Sequence, residues 1–248
     1  MKLYAALGIS SGGIVAFAGA GGKSTAIRSL AAELSADGLK VIVAPTTKMG
    51  LMETDSIGPL VVSNDGAGLL DGARKALDSS GTVVLGGYRI SKERIGGVPP
   101  ESFEAFATLA DVVLVEADGA RHRSIKGTAA HEPLLPEATT LVVAVGGIDA
   151  LGKPVGEEHV HRPEVFAEIT GVSLEGRITA SAFARALSKG SLAQTPRDAR
   201  VAALITGVSP GRTMSDAAVV ARELWRSGVP TVVFAHLFKD RPALVWKP

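Results

Sequence analysis

Phe17-Ala18-Gly19-Ala20-Gly21-Gly22-Lys23-Ser24-Thr25 is the stretch that decides the fold. The apolar run Ile14-Val15-Ala16-Phe17-Ala18 before it suits a buried strand. After it, Ile27, Leu30, Ala31 and Leu34 recur at helical spacing, and Gly38 stops the helix. A glycine-rich turn between a strand and a helix is the context that a phosphate loop requires. Glycines let successive N–H groups curl around a polyphosphate, and the helix start adds unpaired N–H groups and its positive dipole end. Gly19, Ala20, Gly21, Gly22, Lys23, Ser24 and Thr25 are therefore the expected nucleotide-binding residues. Lys23 would meet the β and γ oxygens, and the hydroxyl of Ser24 would ligate Mg²⁺. The pattern is the short form G-x-x-G-K-[ST]-T, because position 17 is Phe rather than the Gly of the eight-residue form.

Outward from the loop, short apolar runs alternate with helical patterns. Strands are predicted at 41–44, 60–62, 82–85, 112–115, 141–145, 201–205 and 231–234. Ala217, Val220, Ala221 and Leu224, followed by Gly228, mark a late helix. About eight such strands imply an α/β fold, a P-loop NTPase-like and mostly parallel sheet with helices on both faces. Residues 160–190 read as a small helical insertion, with Pro163 opening one helix, Gly171 closing it and Gly190 closing a second. The expectation is one nucleotide-binding domain over 1–248.

Composition excludes several classes. There is no cysteine, so disulfides, thiolate metal sites and thiol catalysis are ruled out for this chain. Lys+Arg is 26 and Asp+Glu 25, and a net charge of +1 argues against bulk attraction to nucleic acid or an anionic membrane. Residues 3–22 are uncharged after Lys2 and imitate a signal peptide, but Ser10-Ser11-Gly12-Gly13 interrupts the apolar run. A cytoplasmic protein is expected. Glycine is the outlier, at 29 of 248 residues.

A nucleotide site with Mg²⁺ needs acidic oxygens at a neighbouring strand end. Val112-Val113-Leu114-Val115-Glu116-Ala117-Asp118-Gly119 supplies two, on one face if the strand runs on. Glu116 and Asp118 are thus expected to be metal-binding and catalytic beside Lys23, with Thr46 or Thr47, after Pro45, as a second hydroxyl at the metal. Lys48, Arg121, Arg123, His131 and Arg162 are candidates for a second anion or substrate, with Lys126 judged alongside the arginines. Glu157-Glu158-His159-Val160-His161 is dense in ligand types but lacks an i, i+4 His pair, and reads as a solvated loop.

Together these residues resemble the YqeC family, described as selenium-dependent hydroxylase accessory proteins. The pieces that carry the resemblance are Gly19–Thr25, Thr46-Thr47-Lys48-Met49, Val115-Glu116-Ala117-Asp118-Gly119, His131-Glu132-Pro133 and His161-Arg162-Pro163-Glu164. The resemblance implies a P-loop NTPase fold and an accessory role toward a molybdenum hydroxylase or its cofactor. The loop alone is also similar to that of Mur-type ligases, which implies an ATP-dependent small-molecule ligase as an alternative. A non-catalytic, nucleotide-dependent switch is a third reading, with loops 46–55 and 119–130 ordering on the γ-phosphate. The resemblance implies an Asn-x-x-Asp-like segment after a late strand, able to read guanine, but the corresponding stretch here, Leu204-Ile205-Thr206-Gly207-Val208-Ser209, holds neither Asn nor Asp. ATP is therefore expected over GTP.

Overall fold

A computed structural model describes residues 1–51, 56–237 and 242–248. The chain opens with α1 (Leu3–Ala6), β1 (Gly13–Gly19), α2 (Lys23–Ala36), β2 (Val41–Pro45) and β3 (Met49–Gly50). Next come β4 (Leu60–Val62), α3 (Gly66–Ser80), β5 (Thr82–Gly86), β6 (Tyr88–Ser91), β7 (Arg94–Gly96) and α4 (Phe103–Ala107). β8 (Val112–Glu116), β9 (Ile125–Lys126), β10 (Leu141–Gly147) and β11 (Val160–His161) follow. The remainder is α5 (Pro163–Thr170), α6 (Ala180–Arg185), β12 (Arg200–Thr206), α7 (Arg212–Arg226), β13 (Thr231–Ala235) and β14 (Leu244–Trp246).

Nine strands form the main sheet in the order β14-β13-β12-β10-β1-β8-β2-β5-β4. Every pairing is parallel except that of β14 with β13. β14 is the strand the sequence does not announce. It has three residues, too few to show a period, and it forms by pairing Leu244, Val245 and Trp246 with β13.

The strands are apolar because both faces are covered. Val15, Phe17, Val41, Val43, Leu114 and Val143 meet Ile27, Leu30 and Leu34 of α2 and Leu3 of α1 on one face. On the other face Ala16, Ile42, Val113 and Val115 meet Leu69 and Leu77 of α3 and Phe103 and Phe106 of α4. Along that face Val142, Ala144 and Ala203 meet Phe166, Phe183, Val220 and Leu224 of α5, α6 and α7. The stretch that imitates a signal peptide thus supplies α1 and the central strand β1.

The helices at 160–190 lie in the long connection from β10 to its neighbour β12. Pro163 opens α5 and Gly171, in the left-handed region, closes it as expected. Gly190 does not end the second helix. α6 runs into a π-helical turn, Ala186–Ser191, in which Gly190 is buried, and a Cβ there would lie 3.1 Å from the Thr128 hydroxyl.

Register fixes the site. Phe17 of β1 and Pro45 of β2 both lie level with Glu116 of β8. Gly147 of β10, Thr206 of β12 and Ala235 of β13 are level on the other side. The chain leaves β1 for one half of the sheet over the α2 face, and leaves β10 for the other half. Crevices for ligands open at the carboxyl ends of strands where the winding diverges in this way.

Candidate functional site

The loop Gly19–Gly22 rises from the end of β1 with Gly19, Gly21 and Gly22 all at positive φ. Its glycines answer first to the protein's own backbone. A Cβ on Gly19 would sit 2.4 Å from the Val145 carbonyl oxygen, and one on Gly21 would sit 2.3 Å from the Gly147 nitrogen. The Ala20 N–H donates to Val145 O and the Gly21 N–H to Arg123 O, both at 2.9 Å. The Gly21 carbonyl accepts from the Thr206 hydroxyl at the end of β12. The loop is thereby stitched to β10, β12 and the 123–124 turn. Gly22, the N-cap of α2, offers no side-chain cap, so the first turn of this 14-residue helix opens with N–H groups that the helix cannot pair. Positive dipole and donors face the same place.

Ser24 in that first turn donates to Glu116 Oε2 at 2.9 Å. The pair joins the helix start to the end of β8 across the crevice. Lys23 is 4% exposed, and its Nζ donates to Gly19 O at 2.6 Å while standing 3.1 Å from Asp118 Oδ1. The two acids that the sequence groups together therefore face different partners. Asp118 is fully buried. Its carboxylate accepts the Gly19 N–H at 2.9 and 3.1 Å and the Lys126 ammonium at 3.0 Å, with Lys23 on its other oxygen. It holds lysines and the loop backbone, and Glu116 alone of the pair reaches the Ser24 hydroxyl.

Thr46 also differs from expectation. Its hydroxyl donates to Leu134 O at 2.8 Å, which turns it to the 134 loop. Thr47 Oγ1 is one of the buried oxygens left without a hydrogen-bond partner among the described residues.

Lys126 is the residue that composition and motif undervalue. It is 2% exposed and donates to Asp118 Oδ2, to Gly119 O at 2.8 Å and to Glu132 Oε2 at 2.7 Å. Glu132 in turn accepts a forked pair from Arg162, at 2.6 and 3.1 Å. Burial raises the Glu132 pKa, but the hydrogen bonds and charges of Arg162 and Lys126 outweigh it and hold the carboxyl at about 2. His161, paired in register with Lys126, is pushed down to about 4 by burial and then by Arg162 and Lys126. A buried chain of alternating charge thus runs Lys23–Asp118–Lys126–Glu132–Arg162, from the phosphate loop to the N-cap of α5. Four of the five quoted motifs supply it or border it.

This geometry redistributes the candidate anion residues. Arg162 uses its guanidinium fork on Glu132. Arg123 donates through Nε to the Glu157 carbonyl. Arg121 and His131 are exposed, and so is Lys48. In His131-Glu132 the working member is the glutamate. The arginine that marks it is thirty positions further on, so no local pattern distinguishes it from the neighbouring histidine. Ser191 of the π turn also escaped notice. It is 1% exposed, and its Oγ lies 3.1 Å from where a Gly19 Cβ would be. π turns recur beside functional sites.

Comparison with known proteins adds the following. A family model described as YqeC protein matches residues 15–164. The Uncharacterized protein YqeC of Escherichia coli (strain K12) is 34% identical over 170 residues, which is 68% of this chain and 64% of the relative. The match thus spans less than two thirds of that relative's length. Among solved structures the chain is similar to FtsY from Mycoplasma mycoides, with a TM-score of 0.41 and 11% identity over 95% of this chain and 63% of that one. It is also similar to the signal recognition particle receptor FtsY from Elizabethkingia anophelis, with a TM-score of 0.37 and 15% identity over 88% and 56%.

Proposed function

This chain belongs to the YqeC family, and from that premise we propose that it binds Mg²⁺ and ATP at the Gly19–Thr25 loop and couples binding or hydrolysis to maturation of a selenium-dependent molybdenum hydroxylase. The observation that carries the nucleotide reading is the Ser24–Glu116 hydrogen bond at the uncapped start of α2. A hydroxyl and an acid in contact at a helix N-terminus would supply the protein's half of a Mg²⁺ site whose other ligands are phosphate oxygens and water. Among the described residues no three of Asp, Glu, His or Cys stand together as a metal cage, and a Mg²⁺ ion shared with a triphosphate does not require one. Ser24 and Glu116 would hold the ion. Lys23 would leave Gly19 O and Asp118 for the β and γ oxygens. Asp118 would keep the loop and Lys126 in place. The family resemblance supports the partner enzyme, and the interrupted apolar run at residues 3–22 supports the cytoplasmic setting.

Calorimetric titration of Mg²⁺ and ATP tests the reading. Lys23→Ala is expected to weaken ATP binding by at least about tenfold, the loss of a charge-assisted contact. Equal affinity in the variant would remove the phosphate-loop assignment. Phosphate release is then to be measured with and without the apo form of a molybdenum hydroxylase. Stimulation by that protein supports the accessory role, and stimulation by a small carboxylate instead would point to a ligase.

A further inference from the structure

The ion pairs behind the phosphate loop are not independent, because every inner member is shared. Asp118 has Lys23 on one oxygen at 3.1 Å and Lys126 on the other at 3.0 Å. Lys126 divides its ammonium between Asp118 and Glu132. On Glu132 a single oxygen, Oε2, takes both Lys126 at 2.7 Å and Arg162 at 2.6 Å. A shared ammonium sits at a compromise between its two carboxylates, and removing one lets it close on the other. Buried charges feel such a change strongly, since little water is present to screen it.

The far end of the chain is held in place with care. Arg162 is the left-handed N-cap of α5, with φ at 58°, a conformation that residues with a side chain rarely hold. β9 and β11 set Lys126 level with His161, the residue before it. The Gly127 N–H donates to His161 O at 2.8 Å, and a Cβ on Gly127 would lie 2.5 Å from Arg162 O. Strain and close backbone approach thus aim Arg162 at Glu132. Contact with phosphate requires none of this, since Lys23, Ser24 and the start of α2 supply that contact without it.

We propose that Glu132 and Arg162 are positioning residues of the nucleotide site, acting through Lys126 and Asp118 to set how readily Lys23 leaves for phosphate; this rests on the nucleotide reading above. The direction alternates along the chain. With Arg162 on Glu132, Lys126 stays with Asp118, and Asp118 can release Lys23. Without Arg162, Glu132 draws Lys126 to itself, and Asp118 tightens on Lys23. Without the Glu132 charge, Lys126 closes on Asp118, and Lys23 leaves most readily.

The experiment is calorimetry of Mg²⁺ and ATP on the full chain, with Glu132→Gln, Arg162→Gln and the double variant, each first shown to be folded by circular dichroism. Arg162→Gln is expected to weaken ATP binding by about fivefold, and Glu132→Gln to tighten it by about as much. A plain change in net charge would give the same two signs, but charges that act independently add. In the double variant the chain is already cut at Glu132, so its affinity is expected to match that of Glu132→Gln within about twofold. Additive effects in the double variant overturn the proposal, and so do single variants that both weaken ATP or both leave it unchanged. The route through Lys23 is checked in a Lys23→Ala background, where Glu132→Gln is expected to give no gain; a gain of the same size there also overturns the proposal. Arg162→Lys, which loses the fork, and Glu132→Asp, which shortens the reach, are expected to act in the same directions by less. They carry the same cycle where a glutamine variant does not fold. ATP that binds the unmodified chain and is weakened by Lys23→Ala leaves the nucleotide reading standing whichever way the cycle falls. ATP that fails to bind the unmodified chain overturns that reading and this proposal together.

Discussion

Asp118 is the residue whose surroundings most change its meaning. Two positions after Glu116 in the run E-A-D-G, it reads as a second metal ligand. Buried between two ammonium groups and the Gly19 N–H, it is a structural charge. Asp118→Asn leaves Lys23 and Lys126 facing an amide, and losing one member of a buried charge set costs about 3–5 kcal/mol. Urea unfolding is expected to show that loss, and a change under about 1 kcal/mol, the size of an exposed pair, would place the carboxylate in water. Glu132 and His161 make the charge chain sensitive to acid. Glu132 is ionised down to about pH 2 when folded and takes up its proton near 4.5 when unfolded, so its stabilisation is complete above 4.5 and is lost as pH falls to 2. His161 stays neutral down to about pH 4 when folded, against 6.5 unfolded, so the unfolded chain binds the extra proton between those values and stability falls there too. Denaturation midpoints measured from pH 7 downward are expected to drop in both windows. His161→Asn should flatten the upper window, and Glu132→Gln should flatten the lower one at the cost of weaker folding throughout.

At the scale of elements, the phosphate loop shows what a motif conceals. Gly-x-Gly-Gly before Lys is legible because phosphate chemistry needs it, yet the closest approaches at Gly19 and Gly21 are to the backbone of β10 and its following turn. No one-dimensional pattern discloses that β10, more than a hundred positions on, is the neighbour. Gly119, at the end of the Glu-Ala-Asp-Gly run, differs, because a Cβ there meets nothing within 4 Å. The two glycines therefore separate experimentally. Gly21→Ala is expected to destabilise the fold by more than about 1 kcal/mol, from positive φ and overlap together, and Gly119→Ala to leave the thermal midpoint close to that of the unmodified chain. A midpoint for Gly21→Ala that matches Gly119→Ala would show that the loop relaxes and is not anchored on β10. Helix ends obey the same division. Gly171 stops α5 as read, because a left-handed cap is a local property. Gly190 is not such a cap, because it lies inside the π turn that continues α6 to Ser191, where a Cβ would crowd Thr128.

For the whole molecule, the parallel sheet was legible from eight apolar runs, since strands covered on both faces advertise themselves by composition. Their order was not. Nothing in the sequence says that β1 lies between β8 and β10, and that placement is what brings Glu116 to Ser24 and Thr206 to Gly21. The charge chain was hidden for the same reason, its members spreading from position 23 to 162 and meeting only through the sheet edge. A ligand bound across this edge would touch α2, β8 and the ends of β12 and β13 at once, so its binding energy would resist unfolding of the sheet as a unit. Mg²⁺ and ATP at about a hundred times Kd are expected to raise the unfolding free energy by about 2.7 kcal/mol, read as a shift of the urea midpoint at unchanged slope. Lys23→Ala should abolish most of that shift while leaving the ligand-free midpoint less affected than Asp118→Asn does, because the lysine's partner Asp118 retains Lys126 and the Gly19 N–H. A ligand-induced shift of equal size in Lys23→Ala would locate the nucleotide away from the 19–25 loop.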